Sequence, residues 1–409
     1  MASVTEFNPL APENVECPFP FYEAMRREAP VYQVPQAGFF IVSRYEDCLA
    51  VLKDTATFSS ASGPGLRREP TAEMIAIARE GYPPVNTLIT NDPPNHSRYR
   101  SLVNKVFTPR RVAVLEPSIR AIAGELVDRF SGDGEVELVA QFAIGLPLTV
   151  IADALGVSRA DMPTFKRWSD DAVAPLGGMI SYERELECLR SLVEFQRYFE
   201  ARLEERRGAP RDDILTDLLN ARIDGVAPLN VPEMLSILQQ LLVAGNETTT
   251  NMIANGLHLL LQHPPQLAAV SADHSLIPNL VEEALRLEAP VQGLFRMTTR
   301  DTELAGTAIP AGSRVIVMYG SANRDDAEFA AADQFDVCRE NAQTHLAFGR
   351  GVHFCLGAAL ARTEGIIAFE TLLGRLRNLR LAEGKNDFSH TPNFILRGMK
   401  ALYLTFDPA

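Results

Sequence analysis

The segment 231–263 constrains the fold most, because its pattern is that of one long helix. Asn230 stands before it, Pro232 lies in its first turn, and prolines follow directly after residue 263, as is typical of helix boundaries. About 32 residues at 1.5 Å each give a helix of roughly 48 Å. Residues 234–243 are largely apolar, which predicts burial. A helix of this length, buried along its course, requires a large and mainly helical domain around it.

A polar run interrupts the apolar helix at residues 244–251, which read Ala-Gly-Asn-Glu-Thr-Thr-Thr-Asn. Burying such groups costs several kcal/mol each unless they find hydrogen-bond partners. Glycine and threonine are also poor helix residues, so the run predicts a local distortion of the helix. Taken alone, it is typical of a hydrogen-bonding patch between helices. A local conflict of this kind also often marks a functional site.

A second feature is the glycine-rich run 348–357, Phe-Gly-Arg-Gly-Val-His-Phe-Cys-Leu-Gly, which leads into good helix formers. It places Cys355 near a helix N-terminus, where free amides and the helix dipole favour a thiolate. Gly351 and Gly357 permit positive φ or close backbone approach, which allows amides to point at the sulfur. A lone cysteine is more often a buried structural residue. The glycines around this one favour a thiolate that binds a metal.

The composition of the chain limits the classes of protein to which it can belong. The chain has 409 residues, of which 46% are hydrophobic, and a net charge of −13. The size allows a large core, and the charge argues against general nucleic-acid binding. The five cysteines are widely spaced and odd in number, which favours neither a disulfide framework nor a zinc site and fits a reducing cytosol.

We expect a cytoplasmic protein without a membrane span, because the N-terminus lacks the pattern of a secretory signal and no apolar run approaches ~20 residues. No internal repeat or linker is evident, so residues 1–409 are expected to form a single domain. Helical periodicity predicts further helices, among them residues 112–130, 137–155 and 182–207. Residues 391–398 have the composition of a strand or turn.

Four motifs, in order along the chain, resemble those of the cytochrome P450 family. Residues 92–100 resemble its D-P-P-x-H-x-x-x-R pattern, and residues 244–248 resemble its oxygen-activation motif A-G-x-E-T. Residues 283–286 are similar to the E-x-x-R motif, with Arg339 as the further arginine. Residues 348–357 resemble the haem-binding signature F-x-x-G-x-x-x-C-x-G. The resemblance covers nearly the whole chain.

The resemblance implies haem b as the cofactor and Cys355 as the axial ligand of its iron. A thiolate ligand sends electron density to haem iron and favours O–O cleavage. Further haem contacts are implied at five loop and helix positions, Phe348, Gly351, Gly357, Ala244 and Gly245. Four cationic or imidazole groups are implied as partners of the haem propionates, His96, Arg100, Arg296 and His353. On a predicted helix, His96 and Arg100 also lie one turn apart.

Two further sets of roles follow from the resemblance. Thr248 and Glu247 are implied in proton delivery where dioxygen is reduced. Glu283, Arg286 and Arg339 are implied in a buried network that braces the cysteine loop. Without the motif, a surface ion pair would be the simpler interpretation of the first two.

The implied fold is mainly α with a smaller β-rich portion, and the haem lies between the long central helix and the cysteine loop. The β-rich parts are expected at about residues 31–43, 291–320 and 378–407. A mobile roof is implied at the apolar connection 175–180 and over residues 59–84. Eight mostly apolar residues are implied in the substrate pocket, Leu88, Ile89, Leu176, Met179, Leu294, Phe295, Phe394 and Ile395. They favour a terpenoid, steroid, fatty acid or aromatic substrate.

Electrons have to come from outside the chain, because it contains no flavin or ferredoxin motif. The resemblance implies a ferredoxin and its reductase. A basic patch near the cysteine loop is expected to bind an acidic ferredoxin. Its four predicted members are Arg110, Arg111, Arg350 and Arg362.

The sequence leaves three other functions open. A peroxygenase of the same family would use hydrogen peroxide, but such members typically replace the acid and alcohol that Glu247 and Thr248 supply here. A non-catalytic haem sensor has no need for that pair. A haem-free binding module would leave the cysteine loop without a cofactor, and the colour of the purified protein distinguishes it.

Overall fold

Helices form most of the molecule. The computed structural model describes residues 3–35, 37–66, 68–104 and 109–408. Within this part of the chain the α-helices are α1 Pro12–Glu16, α2 Phe19–Glu28, α3 Tyr45–Lys53, α4 Ala72–Ala78, α5 Asn95–Val103, α6 Pro109–Asp128, α7 Gly145–Ala154, α8 Met162–Val173, α9 Tyr182–Gly208, α10 Ile214–Asn220, α11 Val231–Gln262, α12 Pro264–Ala272, α13 Ile277–Leu287, α14 Tyr319–Ala322 and α15 Ala358–Arg375.

The strands are short and form three sheets. In chain order they are β1 Val31–Gln33, β2 Phe40–Val42, β3 Phe58–Ser59, β4 Glu135–Glu137, β5 Gly293–Thr298, β6 Thr302–Leu304, β7 Thr307–Ile309, β8 Arg314–Met318, β9 Arg377–Leu381 and β10 Tyr403–Asp407. The largest sheet has the order β1-β2-β8-β5-β3, and the others are β4-β10-β9 and β6-β7. Strands β2 and β8 are parallel, whereas the other pairs are antiparallel. The predicted combination of many helices and a smaller β portion is confirmed.

The helix predicted over residues 137–155 is wrong at its start. Glu137 is the last residue of β4 and pairs with Tyr403 in β10. Its carboxylate accepts hydrogen bonds from the amides of Val139, at 3.0 Å, and Leu402, at 2.8 Å. A π-helical segment, Val139–Ala143, then precedes α7. The strand pairing is made with residues more than 260 positions away, so helical periodicity in the sequence did not reveal it.

The C-terminal segment 391–398 forms no regular strand in the described structure. It is held by two isolated antiparallel bridges, between Val291 and Leu396 and between His390 and Met399. The segment therefore lies beside the start of β5, where its backbone is tied to the largest sheet.

The long central helix matches its predicted bounds within one residue. Helix α11 contains 32 residues and begins with a capping box formed by Asn230 and Glu233. It packs against α7, α8, α13 and α15. One apolar cluster surrounds its C-terminal half and a second its N-terminal half. The polar run 244–251 lies where these two clusters meet.

The expected distortion of α11 is absent, since residues 231–262 are α-helical throughout. Neighbouring elements supply hydrogen-bond partners to two side chains of the run. The Thr250 hydroxyl donates to the carbonyl of Ala143 at 3.0 Å. The Asn246 amide donates to the hydroxyl of Ser169 at 2.9 Å. These bonds offset part of the cost of burying the run within a continuous α-helix.

Candidate functional site

The cysteine loop is shaped by its glycines and by one backbone hydrogen bond. The amide of Cys355 donates to the carbonyl of Phe348 at 2.9 Å. Gly351 has a φ of +70°, and a Cβ there would lie 2.8 Å from the carbonyl oxygen of Leu52. Both facts require glycine at residue 351. Gly357 has an ordinary φ of −87° as the N-cap of α15, and a Cβ there would meet no described atom within 4 Å. Its backbone therefore borders open space beside the cysteine.

The environment of the Cys355 sulfur opposes a free thiolate and suits a bound one. Burial raises the pKa of the thiol. The backbone amides of Gly357 and Ala358 and the positive charges of Arg100 and Arg362 act in the opposite direction and lower its pKa. A buried thiol whose sulfur receives amide donors ionises readily once a metal cation binds it. These amides are the interactions that tune a thiolate ligand of haem iron.

Four basic side chains converge beside the loop from three separate elements. His96 and Arg100 lie on α5, Arg296 on β5 and His353 in the cysteine loop. The ring centroids of the two histidines are 4.4 Å apart. Burial, together with the charges of Arg296, His96 and Arg100, lowers the pKa of His353 to about 3. Burial and Arg100 also lower the pKa of His96, while Asp92 opposes them.

This cluster fits a ligand that carries two negative charges. The Nδ1 atom of His96 is buried and has no hydrogen-bond partner in the described structure. The Nε2 atom of His353 lies 3.1 Å from the hydroxyl of Ser60. Like charges gathered in a partly buried place destabilise one another unless an anion joins them. The two propionates of a haem bound to Cys355 supply such anions, so the residues present fit the group.

The middle of α11 faces an open space, although most of this helix is buried. Ala244 is exposed, and Gly245 and Thr248 are partly exposed. The Thr248 hydroxyl donates to the carbonyl of Ala244 at 2.7 Å. A hydroxyl bonded in this way keeps its lone pairs free to accept a further hydrogen bond. A Cβ on Gly245 would approach Ile151 at an ordinary 3.7 Å, so the protein itself does not demand glycine there.

Glu247 connects this space to the charged side of α8. Burial raises the pKa of its carboxyl, and the charge of Asp170 adds to this, while the charge of Lys166 and the Asn251 side chain lower the pKa. Lys166 and Asp170 line an open cleft between α8 and α9. A carboxyl with a raised pKa carries a proton at higher pH than an exposed glutamate does. Its position beside Thr248 suits it to pass protons inward from the surface.

The structure brings the three residues of the predicted brace together in the interior. The Glu283 carboxylate accepts two hydrogen bonds from Arg286, at 2.7 and 2.8 Å, and one from Arg339 at 3.1 Å. Arg286 also donates to the carbonyls of Asn323 and Ala332. The network therefore ties α13 to the segment that leads into the cysteine loop. The network binds backbone carbonyls of that segment, and none of its three side chains contacts the candidate reaction site.

Only some of the eight predicted pocket residues lie where a ligand above the loop would meet them. Leu294 shares the face of β5 with Arg296, because side chains alternate along a strand. Phe295 points the other way and is a correction: it is fully buried, with its ring 5.2 Å from that of Phe39 and 4.2 Å from the guanidinium carbon of Arg314. Leu88 is also buried, in the cluster shared by α5 and α11.

The remaining pocket candidates differ in exposure. Ile89 and Leu176 are half-buried, and Met179 is exposed. Phe394 and Ile395 are buried in the cluster that contains Phe295, which is also bordered by partly buried residues of β5 and α11.

The predicted roof, residues 175–180, contacts two other loops of the chain. The amide of Leu66 donates to the carbonyl of Leu176 at 3.0 Å. A Cβ on Gly177 would lie 2.5 Å from the side-chain oxygen of Asn393, and one on Gly178 would lie 2.8 Å from Cβ of Leu66. The connection after α8 is therefore closed over this part of the molecule, and glycine permits the close approach.

The predicted basic patch is weaker than its four arginines suggest. Arg362 makes two hydrogen bonds to the Glu282 carboxylate, at 2.6 and 3.0 Å. Arg111 pairs with Asp217 at 2.8 Å and with Asp212 at 3.3 Å. Arg350 donates to the carbonyl of Thr344 at 2.7 Å, and Arg110 is exposed. Two of the four charges are thus largely balanced by carboxylates.

Two residues near the site escaped the sequence analysis. Val352 is 44% exposed within the cysteine loop, so it adds an apolar contact point beside the arginines. Glu364 on α15 is fully buried, and burial raises its pKa to about 8 while a hydrogen bond with Thr249 of α11 lowers it. The available signal for Glu364 was an acidic residue among Ala361, Gly365 and Ala368 on one helix face.

A cysteine thiol among amide donors, a basic cluster suited to propionates and an open helix face carrying an acid and an alcohol together define a haem-thiolate site. Comparison with known proteins agrees. Residues 181–406 match the family model described as Cytochrome P450. The putative cytochrome P450 YjiB of Bacillus subtilis is 38% identical over 392 residues, which cover 94% of this chain and 92% of that protein. The cytochrome P450 monooxygenase PikC of Streptomyces venezuelae is 36% identical over 405 residues, which cover 98% of this chain and 93% of that protein.

Solved structures show the same architecture. CYP109Q5 from Chondromyces apiculatus superposes with a TM-score of 0.87 at 41% identity, covering 98% of each chain. The cytochrome P450 CREJ in complex with (4-ethylphenyl) dihydrogen phosphate has a TM-score of 0.93 at 32% identity, covering 99% of this chain and 100% of that one. The chain belongs to the cytochrome P450 family. It is therefore a haem-containing monooxygenase, and among its described helices none has the length and apolarity needed to cross a membrane.

Proposed function

We propose that this monooxygenase reduces dioxygen and inserts one oxygen atom into a hydrophobic small molecule, while the second atom leaves as water. The observation that carries the proposal is the adjacency of Thr248 and the half-buried acid Glu247 beside the open face of α11. A peroxygenase that receives hydrogen peroxide ready-made, or a haem sensor, has no need for a proton relay. When bound, the haem supplies the redox chemistry that activates dioxygen.

Each residue of the site has a defined task in this proposal. Cys355 binds the iron through its thiolate. The basic cluster of α5, β5 and the cysteine loop holds the propionates and fixes the haem orientation. Glu247 takes protons from the charged cleft between α8 and α9, and Thr248 directs them to the open face of the helix. The closed roof excludes bulk water, which reduces stray proton delivery.

The proposed substrate is a terpenoid, steroid, fatty acid or aromatic compound. The partly buried side chains available to it are apolar, namely Ile89, Leu176 and Leu294. Related proteins fit this range. CYP109E1 from Bacillus megaterium has been solved in complex with testosterone, and P450BioI in complex with an acyl carrier protein ligated to hexadec-9Z-enoic acid. The name of another relative, 6-deoxyerythronolide B hydroxylase of Saccharopolyspora erythraea, gives a substrate outside this range.

The oxygen-insertion proposal predicts the source of the oxygen atom in the product. The holoenzyme should be supplied with testosterone and palmitoleic acid as probes, a ferredoxin, its reductase and ¹⁸O₂. Mass spectrometry should then find one ¹⁸O atom per oxidised product and none when the label is in water. Turnover with hydrogen peroxide alone should be at least about ten-fold slower, because Glu247 and Thr248 serve the route that needs protons. Faster turnover with peroxide would identify a peroxygenase instead.

We propose that the electrons come from a ferredoxin that binds beside the cysteine loop. The exposed Val352 provides an apolar contact, Arg350 lies two residues before it, and Arg110 is exposed at the start of α6. Since Arg111 and Arg362 are paired with carboxylates, the electrostatic contribution to binding is modest. Steering by the remaining charges should raise the association rate at low salt.

Reduction of the haem by an acidic ferredoxin should slow by about three- to ten-fold between 20 and 300 mM salt. Stopped-flow kinetics under carbon monoxide measures this rate. The variant Arg110→Gln should reduce the salt dependence, whereas Arg159→Gln, on the distant segment before α8, should leave it unchanged. A rate that is independent of salt in the parent protein would show that charge does not guide this encounter.

A further inference from the structure

A stripe of partly exposed residues runs along one face of α11, most of whose other residues are buried. Ser236, Gln240, Ala244 and Thr248 follow one another at intervals of four residues and are all partly or fully exposed. Residues at this spacing lie on the same helix face. The stripe therefore runs from the reactive end at Thr248 toward the start of the helix. Eight residues at 1.5 Å each place Gln240 about 12 Å from Thr248 along the axis.

A loop from the segment between α4 and α5 lies against the far end of this stripe. The amide of Val85 donates to the Ser236 hydroxyl at 3.1 Å. The amide of Ile89 donates to the side-chain oxygen of Gln240 at 3.0 Å. The side-chain nitrogen of Gln240 donates to the Thr87 hydroxyl at 2.6 Å. Gln240 thus binds the loop through both ends of its carboxamide.

The side chains of this loop differ in burial. Thr87 and Leu88 are buried, and Leu88 packs in the apolar cluster shared by α5 and α11. Ile89 is half-buried and follows the last residue that is anchored in the core. Its backbone position is set by the bond to Gln240. Partly burying a carboxamide costs free energy unless it is hydrogen-bonded, and here the loop supplies both bonds.

We propose that Gln240 is a positioning residue that fixes the far wall of the substrate cavity by holding Ile89, and so selects among elongated apolar substrates. This inference rests on the proposed function of the site. Ligands that extend about 12 Å from the reactive end meet this wall, whereas small ligands do not. Gln240 touches no reacting atom, so its effect should depend on ligand length.

The test uses the holoenzyme with two azole probes that bind haem iron directly. Imidazole is too short to reach the loop, and clotrimazole is long enough. The variant Gln240→Met keeps the side-chain length but removes both hydrogen bonds. The variant Gln240→Glu retains the acceptor for the Ile89 amide and allows the Thr87 hydroxyl to donate. Gln239→Met is the matched control, since among the described residues the Gln239 side chain makes no hydrogen bond with this loop.

Difference spectra should show that Gln240→Met raises the Kd of clotrimazole about ten-fold. The Kd of imidazole should stay within about two-fold of the value for the parent protein. Hydrogen exchange, followed by mass spectrometry, should be about ten-fold faster at the Ile89 amide. Gln240→Glu should restore both values, and Gln239→Met should match the parent protein. Unchanged clotrimazole binding, or an equal loss for both azoles, would overturn the role of Gln240. Failure of the parent protein to give any azole spectrum would instead overturn the haem site itself.

Discussion

Replacing Cys355 by serine should abolish the spectral signature and the activity of the enzyme. The parent protein, reduced under carbon monoxide, should show the strongly red-shifted Soret band of thiolate ligation. In Cys355→Ser that band should be lost, because a neutral hydroxyl is a far weaker donor than a thiolate. Monooxygenase turnover should fall by about 1,000-fold or more, which corresponds to about 4 kcal/mol of transition-state stabilisation.

Two controls, a second cysteine variant and a measurement of haem content, make the experiment specific to the Cys355 ligand. Cys338→Ser is the matched control, since Cys338 is exposed and its side chain has no part in the site. It should retain the band, the haem and the turnover of the parent protein. Haem content measured beside the spectrum separates loss of the ligand from loss of the cofactor. Retention of the red-shifted band in Cys355→Ser would show that another residue binds the iron.

The placement of the candidate site residues was largely predictable, because each motif fixes residue type and spacing. The amides around Cys355 and the basic cluster of His96, Arg100, Arg296 and His353 lie together in the structure, as the motifs imply. Each motif is local in sequence, so a few residues are enough to specify its geometry. The bounds of α11 were predictable for the same reason, since its capping box and its flanking prolines are local signals.

Side-chain direction and long-range pairing were harder to predict. Placing Phe295 in the pocket was avoidable, because a strand that turns Arg296 toward the haem has to turn its neighbour away. The pairing of Arg362 with Glu282 joins residues 80 positions apart, and it reduces a charge that the sequence counts as available. The hydrogen-bond partners of Thr250 and Asn246 in α11 are Ala143 and Ser169, which belong to other elements. Such contacts follow from the packing of the whole chain rather than from any local pattern.

Replacing Thr248 by alanine should preserve the haem, the fold and substrate binding but uncouple the reaction. The hydroxyl of Thr248 donates to the Ala244 carbonyl and keeps its lone pairs for a further partner. Without it, protons should reach the reduced dioxygen at the wrong position, so that hydrogen peroxide is released. Product formation should fall about 100-fold, while the reductase continues to consume reduced nicotinamide. Product, peroxide and nicotinamide consumption, measured together, determine the coupling.

Two matched variants separate the Thr248 hydroxyl from the threonine run as a whole. Thr248→Ser keeps a hydroxyl and should restore most of the coupling. Thr250→Val removes a hydroxyl that bonds to Ala143, so it should lower stability by about 1 kcal/mol and leave coupling unchanged. Full coupling without extra peroxide in Thr248→Ala would show that this helix face does not direct protons, or that water replaces the hydroxyl.

Glu247→Gln should have a different effect, because it removes the ionisable group and leaves the Thr248 hydroxyl in place. Turnover should slow more than coupling declines, and the solvent isotope effect should increase as proton supply becomes limiting. Burial raises the pKa of the Glu247 carboxyl, so its protonated, donating form persists to higher pH than in an exposed glutamate. Turnover of the parent protein should therefore decline as pH rises through that raised pKa, and the decline should disappear in Glu247→Gln. An identical pH profile in both proteins would assign the proton supply to another group, and the buried Glu364, which contacts Thr249 from the other side of α11, would be the next residue to replace.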